Sequence, residues 1–412
     1  MRRLCVPLWC AALITPLAFG QPVSPSLAAS SAALTLEAAL QAALQRHPLL
    51  RAAQADVDAS RGAIDQAGAR PNPTLGLDQE DLRRDARVTT LTLSQPLELG
   101  GKRAARVELA RSGRELALAD LASRQADVRA STVQAFFDAL IAQERVKVAE
   151  ESLVIAGNGS AAAARRVTAG KVSPTEETRA RVAEAQARIE LRQAQADRQA
   201  ALRALGLAMG AADVTLAQLD GRPTALPPAP DVDAVTQRIA QSPALRRALA
   251  EVQRAGAAVE LERARRVPDV TVSLGTRRAH ELGRYQPVIG VSIALPLFDS
   301  NKGAQFEAQR RRDAAQALAE AEELRLRAEV LQIADQLQAR SSEAQALQQE
   351  VLPRAQEAYE AASRGFELGK FGFLDVLDAQ RTLLQARTQY LGALAHTHRA
   401  AAELERRLGA QP

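Results

Sequence analysis

Few side chains in this sequence could take part in chemistry, and their spacing decides most cases. The histidines are His47, His280, His396 and His398. His396 and His398 are two apart, which on a helix points them to different faces, so they read as ordinary surface histidines rather than metal ligands. Two Gly-Lys pairs, Gly170-Lys171 and Gly369-Lys370, lack the glycine five positions upstream that a phosphate loop requires. Gly157-Asn158-Gly159 followed by Ala162 mimics a dinucleotide fingerprint, but it falls in a helical run with no strand before it. No serine and histidine are placed as nucleophile and base. The sequence therefore predicts no catalytic residue, no cofactor and no metal site. What remains is acidic. Asp375 and Asp378, in the stretch FELGKFGFLDVLDAQ from Phe366 to Gln380, open a helix where carboxylates meet the positive end of the helix dipole.

Those aspartates need a turn to present them. Gly369 and Gly372 give the backbone freedom for a reversal between two long helical runs. Glycine alone would satisfy a bare turn; Phe371 and Phe373 add apolar groups at the tip, which points to contact with something. A weaker copy, VTAGKVSPTEETRAR, occupies Val167 to Arg181, with Gly170 and Lys171 at its tip. The two tips are offset by 199, so Glu176 answers Asp375 and Arg179 answers Asp378.

The copying extends along the chain. Ser242-Pro243-Ala244-Leu245-Arg246 answers His47-Pro48-Leu49-Leu50-Arg51 at an offset of 195, and Pro296 and Lys302 answer Pro96 and Lys102 at 200. This internal duplication is the strongest organisational signal. Each half holds a helix, a pair of alternating segments, a very long helical run, the tip and a shorter helix. From Lys102 to Lys171 and from Lys302 to Lys370 a helix at 1.5 Å per residue reaches about 100 Å. The two shorter helices of each half nearly match that length, so they could run end to end beside it. Leu326, Val330, Ile333, Leu337, Ala344, Leu347 and Val351, then Val376, Ala379, Leu383, Ala386 and Tyr390, follow coiled-coil spacing. Leu75 and Leu77, Leu91 and Leu93, Val270 to Leu274, and Ile289 to Leu295 alternate with period two, as strands with one apolar face do. Pro96 is expected to end its strand. Tyr285 is the aromatic in or near these segments.

The expected organisation is a leader over 1–20, an N-terminal segment over 21–33 and a first repeat over 34–210 with strand pair 74–95 and tip 170–173. A Pro-rich linker over 211–233 and a second repeat over 234–409, with strand pair 269–295 and tip 369–373, complete it. The leader follows from Arg2 and Arg3, an apolar run from Leu4 to Phe19, and Ala18-x-Gly20 as a cleavage site. It holds Cys5, Cys10 and Trp9, so the mature chain would carry no thiol. The formal net charge of +5 is mild and its charges alternate along helices, which argues against nucleic acid. Aromatics at 3% suit thin helical packing rather than one thick core. The fold class is mainly α with a small β part. No later run is long and apolar enough for a membrane helix, so an exported chain that crosses a membrane does so as strands.

This arrangement resembles the TolC-like outer membrane efflux proteins over nearly the whole mature chain. The motifs are SQPLELGGKR at Ser94 to Arg103, ALPLFDSNKG at Ala294 to Gly303, and FELGKFGFLDVLDAQ, which with RTLLQARTQYL is most similar to the CzcC-type, cation-efflux branch. The resemblance implies a homotrimer whose protomers each give four strands to a twelve-stranded barrel in the outer membrane of a Gram-negative bacterium. The helices would form a hollow cylinder through the periplasm. Partners would be a periplasmic adaptor, an inner-membrane resistance-nodulation-division pump and outer membrane lipid. Exported divalent heavy-metal cations are the implied cargo. A duct for drugs or a secreted polypeptide, and a pore-less periplasmic scaffold, stay open as alternatives.

By the same resemblance Asp375 and Asp378 line the periplasmic constriction, with Glu176 and Arg179 as their first-half counterparts. Three copies of each acid would favour cations. The plainer reading is that they cap a helix. Arg179 in place of a second acid would bridge to a carboxylate between neighbouring helices. Gly170, Lys171, Gly369, Lys370 and Phe371 would meet the adaptor.

Overall fold

The computed structural model describes residues 33–81, 87–211, 218–228, 230–279 and 283–409. The expected leader with its cysteines, His280 and residues 212–217 of the linker lie outside the described residues. One order of elements runs twice. The first half holds α1 (Leu36–Arg46), α2 (Pro48–Gly68), β1 (Thr74–Glu80), β2 (Val88–Leu97), α3 (Lys102–Thr168) and α4 (Pro174–Ala208). The second holds α5 (Val232–Arg238), α6 (Pro243–Ala264), β3 (Val270–Ala279), β4 (Tyr285–Ile293), α7 (Lys302–Ala346), α8 (Leu352–Glu367) and α9 (Phe373–Leu408). A residue in the left-handed region launches each long helix, Gly101 at φ 74° and Asn301 at φ 55°. These two positions are 200 apart, so the duplication reaches the backbone itself.

Pairs of shorter helices lie end to end along the long ones. At the end of α4, Gly210 has φ +74° and abuts the start of α2; a Cβ there would stand 2.9 Å from the Cα of His47. At the end of α9, Gly409 abuts Pro243 at the start of α6 in the same way. Small residues let these helices approach closely, and the larger apolar ones gather in clusters such as Phe136, Leu140 and Leu205. Burying each of these side chains contributes about 1.5–3 kcal/mol. The halves are also joined by charge. Along α3, Asp127, Asp138 and Glu151 meet Arg406, Arg399 and Arg387 of α9, and Asp120 meets Arg247 of α6.

The coiled-coil seam buries Leu326, Val330, Leu337 and Ala344, but Val351 is exposed. One π-helical turn, Leu347–Val351, explains the departure. Pro353 has no N–H to give and its ring would crowd the preceding turn. Widening that turn relieves the crowding and rotates the apolar stripe, so Leu352 packs inward instead.

The four strands form one antiparallel sheet in the order β1-β2-β3-β4. Leu75, Leu93, Leu274 and Ile289 make a continuous row across it, with Val272 opposite Val291 below. The other face carries Ser94 and Ser273, whose hydroxyls lie 2.9 Å apart, with Thr92 and Gly275 in the adjoining row. Pro96 does not end β2, which pairs on to Leu97 opposite Val270. β1 stops at Thr74 opposite Ser94, so beyond that point β2 has an open edge that tolerates a residue without an N–H. β4 ends at Ile293, two residues short of the expected Leu295.

Candidate functional site

Both tips close by the same backbone device. In the first, Lys171 N donates to Arg166 O (2.9 Å) and Gly170 N to Val167 O (2.9 Å); in the second, Lys370 N donates to Gly365 O (2.8 Å) and Gly369 N to Phe366 O (3.0 Å). Gly170 and Gly369 take φ +68° and +74° with open space around them, so the turn requires their backbone conformation. Lys171, Lys370 and Phe371 are exposed there. Phe373, by contrast, is core. It packs with Ala163, Ala180, Phe366 and Leu377 where the two tips touch. Phe371 folds back over Gly365, where any Cβ would collide with its ring, and Leu368 and Leu374 stand exposed beside it.

The four charged candidates separate by role. Asp375 accepts a hydrogen bond from Gly372 N at 2.9 Å, so its carboxylate caps the start of α9. Asp378, one turn on, is exposed. Glu176 occupies the same third helical position in α4 that Asp375 holds in α9, but there Ser173 Oγ supplies the cap, accepting from Thr175 N at 3.3 Å. Arg179 is exposed, and among the described residues it makes no bridge to a neighbouring helix; the local pair is Arg181 with Glu177.

Between the tips runs a groove of about 810 Å³ lined by Arg165, Arg166 and Lys171 on one side and Tyr359, Glu367 and Gln380 on the other. Arg166 lies over the Phe366 ring at 4.5 Å. Burial raises the Tyr359 phenol above its usual range. Spacing along one helix could not reveal this groove, because its walls come from both halves of the chain.

A second missed feature lies midway along the helices. His398 is 4% exposed, not on the surface. Its ring stacks on Phe137 at 3.6 Å, and its Nε2 lies 2.9 Å from the Pro223 carbonyl. Burial lowers its pKa, so the neutral imidazole is favoured. The Pro-rich segment is thereby held against α3 and α9. Gln143 binds the same segment through Leu219 N and O, and Leu34 forms a parallel bridge to Leu219.

The sheet presents its apolar row to the outside. Leu75 is 71% and Ile289 76% exposed, and Leu77, Leu274 and Val291 are exposed alike. Such a face suits an apolar surrounding, and β1 and β4 leave unpaired edges. Among the described residues no helix is long and apolar enough to cross a membrane.

Comparison with known proteins agrees with this geometry. The family model "Outer membrane efflux protein" matches residues 39–211 and 234–410. The cobalt-zinc-cadmium resistance protein CzcC of Cupriavidus metallidurans is 45% identical over 99% of this chain and 100% of its own. The nickel and cobalt resistance protein CnrC of the same organism is 33% identical over 68% of this chain and 67% of its own. A membrane protein from Pseudomonas aeruginosa has the same fold, with a TM-score of 0.79 at 21% identity over 91% of this chain and 92% of that one. The chain belongs to the outer membrane efflux protein family.

Proposed function

We propose that the chain is the outer membrane exit duct of a tripartite efflux system and that it passes divalent heavy-metal cations. The observation that carries this reading is the four-stranded sheet, apolar and exposed on one face and polar on the other, set at the end of helices about 100 Å long. Three copies would close its open edges into a twelve-stranded barrel with the polar face inward. A pore-less scaffold has no use for such a face. Export of cobalt, zinc or cadmium is inferred from the likeness to CzcC.

The duct does no chemistry in this account. Asp378 forms a ring of three carboxylates at the narrow periplasmic mouth, with Asp375 and Glu176 close by and Arg179 moderating the charge. The tips at Gly170, Lys171, Gly369, Lys370 and Phe371 meet a periplasmic adaptor, which links the duct to a resistance-nodulation-division pump. The groove's three cationic residues suit an acidic adaptor surface. The test is expression in a Gram-negative host with its adaptor and pump. Trimers in the outer membrane fraction and lowered cellular zinc, cobalt or cadmium are expected. A monomer in the periplasm, or unchanged metal content, would overturn the reading.

A further inference from the structure

The apolar rows of the sheet are too short for the layer they must cross. Tyr285 and Arg278 mark one end of the outward face, with the guanidinium over the ring at 5.3 Å. From Pro287 to Ile293, seven residues at about 3.3 Å each and tilted about 40° cover roughly 18 Å, against an apolar band of about 25 Å. Something below Ile293 has to make up the difference. The segment that follows holds Leu295, Leu297 and Phe298, all exposed, and Phe298 is 102% exposed. Phe306, one turn into α7, is exposed as well, with Arg310 over its ring at 5.4 Å. Leu97 and Leu99 stand exposed at the same level in the first half.

The duplication says what these phenylalanines are not for. At the offset of 200, Phe298 answers Glu98 and Phe306 answers Arg106. In the first half that pair is a salt bridge turned onto the end of α2, where Arg106 also donates to Ala67 O and Ala69 O. The fold at this corner therefore needs no aromatic residue. The contact between halves uses other positions. Leu99 N and Lys102 Nζ both donate to Asp269, at 3.2 and 2.7 Å, and Gly100 packs on Val267. Their second-half counterparts are Asp299, Ser300 and Lys302, and there Asp299 accepts from Asn301 N at 2.9 Å instead. Phe298 and Phe306 are left outside that joint.

We propose that Phe298 and Phe306, with Leu295 and Leu297, form a collar that sits in the headgroup layer of the periplasmic leaflet and anchors the barrel from below. Aromatic rings favour that layer, and Lys302, exposed one helical turn before Phe306, suits phospholipid phosphates. Leu295 and Leu297 continue the alternation of Ile289, Val291 and Ile293 along the chain.

Tryptophan fluorescence tests this, because Trp9 is the sole tryptophan. In the full chain with Trp9→Phe, single variants Phe298→Trp and Phe306→Trp are placed in phosphatidylethanolamine–phosphatidylglycerol vesicles. Ile289→Trp and Ile189→Trp serve as mid-sheet and periplasmic references. The collar predicts that lipids brominated near the headgroup quench both positions at least about twofold more than deeply brominated lipids do. Ile289→Trp should show the reverse order and Ile189→Trp quenching by aqueous acrylamide alone. Acrylamide quenching without bromolipid quenching at 298 and 306 would place them in the periplasm and overturn the proposal. Shielding from both quenchers would place them between protomers and overturn it equally.

Discussion

The two halves of this chain share a backbone and differ in chemistry, and the differences fall at the two ends of the molecule. At the sheet end, the Glu98–Arg106 salt bridge of the first half becomes Phe298 and Phe306 in the second. At the tip, Glu176 and Arg179 become Asp375 and Asp378. Midway the first half has an unbroken α3, while the second carries a π-helical turn before Pro353. Where the halves must superimpose to build a ring, the left-handed starts at Gly101 and Asn301 and the tip hydrogen bonds are kept. Side chains at the two ends, away from these shared positions, have diverged. Duplication thus fixes the frame and frees the surface.

Substitutions that make the halves alike, or that break their joint, test which differences the molecule depends on. The largest effect is expected at Gly275, where an added Cβ would lie 2.3 Å from the Leu91 carbonyl oxygen, against 3.9 Å from Thr92 O for Gly76 in the same row. Main chain cannot yield as a flexible side chain can, so Gly275→Val should abolish trimer formation while Gly76→Val permits it. Size-exclusion chromatography after outer membrane extraction reads the difference, and equal trimer yields would count against a tight β2–β3 joint. Next is the tip. Asp378→Arg gives the second tip the charge of the first and should lower cation-over-anion permeability on the order of fivefold to tenfold. Arg179→Asp should raise it.

His398→Ala removes the stack on Phe137 and the bond to Pro223, and should cost about 2 kcal/mol, read as a lower thermal midpoint. It should also flatten an acid dependence. Because burial lowers the imidazole pKa in the folded chain, the unfolded chain takes up a proton first. Wild-type stability therefore falls as pH drops below about 6.5 and keeps falling until the lowered value is passed. Thermal midpoints at neutral and mildly acid pH in both proteins check the sign. The smallest contrast is Lys102→Ala, which breaks the 2.7 Å pair with Asp269 and should cost about 1 kcal/mol. Lys302→Ala, on an exposed residue, should change the stability of a dissociated protomer by less than about 0.5 kcal/mol.

Most of the frame was legible in the sequence because it rests on local signals. Period-two leucines gave the strands, the Gly-Lys turns gave the tips, and heptad spacing gave the buried seam. Features set by distant segments were not legible. Nothing near His398 announces that Phe137 and Pro223 will enclose it, and the burial of Phe373 depends on Ala163 and Ala180 from the other half. The exposure of Val351 follows from a proline two positions later, which a seam count ignores. Of the acidic pair at the tip, type and spacing identified both members. Only the hydrogen bond from Gly372 N to Asp375 assigns one to the helix cap and leaves the other exposed.

The most direct measurement is the reversal potential of single channels in planar bilayers under a salt gradient, for the wild type, Asp375→Asn and Asp378→Asn. Asparagine keeps an oxygen for the cap while removing the charge, so loss of charge is separated from loss of the helix start. Cation-selective channels are expected, with selectivity that falls sharply in Asp378→Asn and only slightly in Asp375→Asn. Anion-selective channels, or selectivity unchanged in both variants, would contradict a carboxylate ring at this mouth.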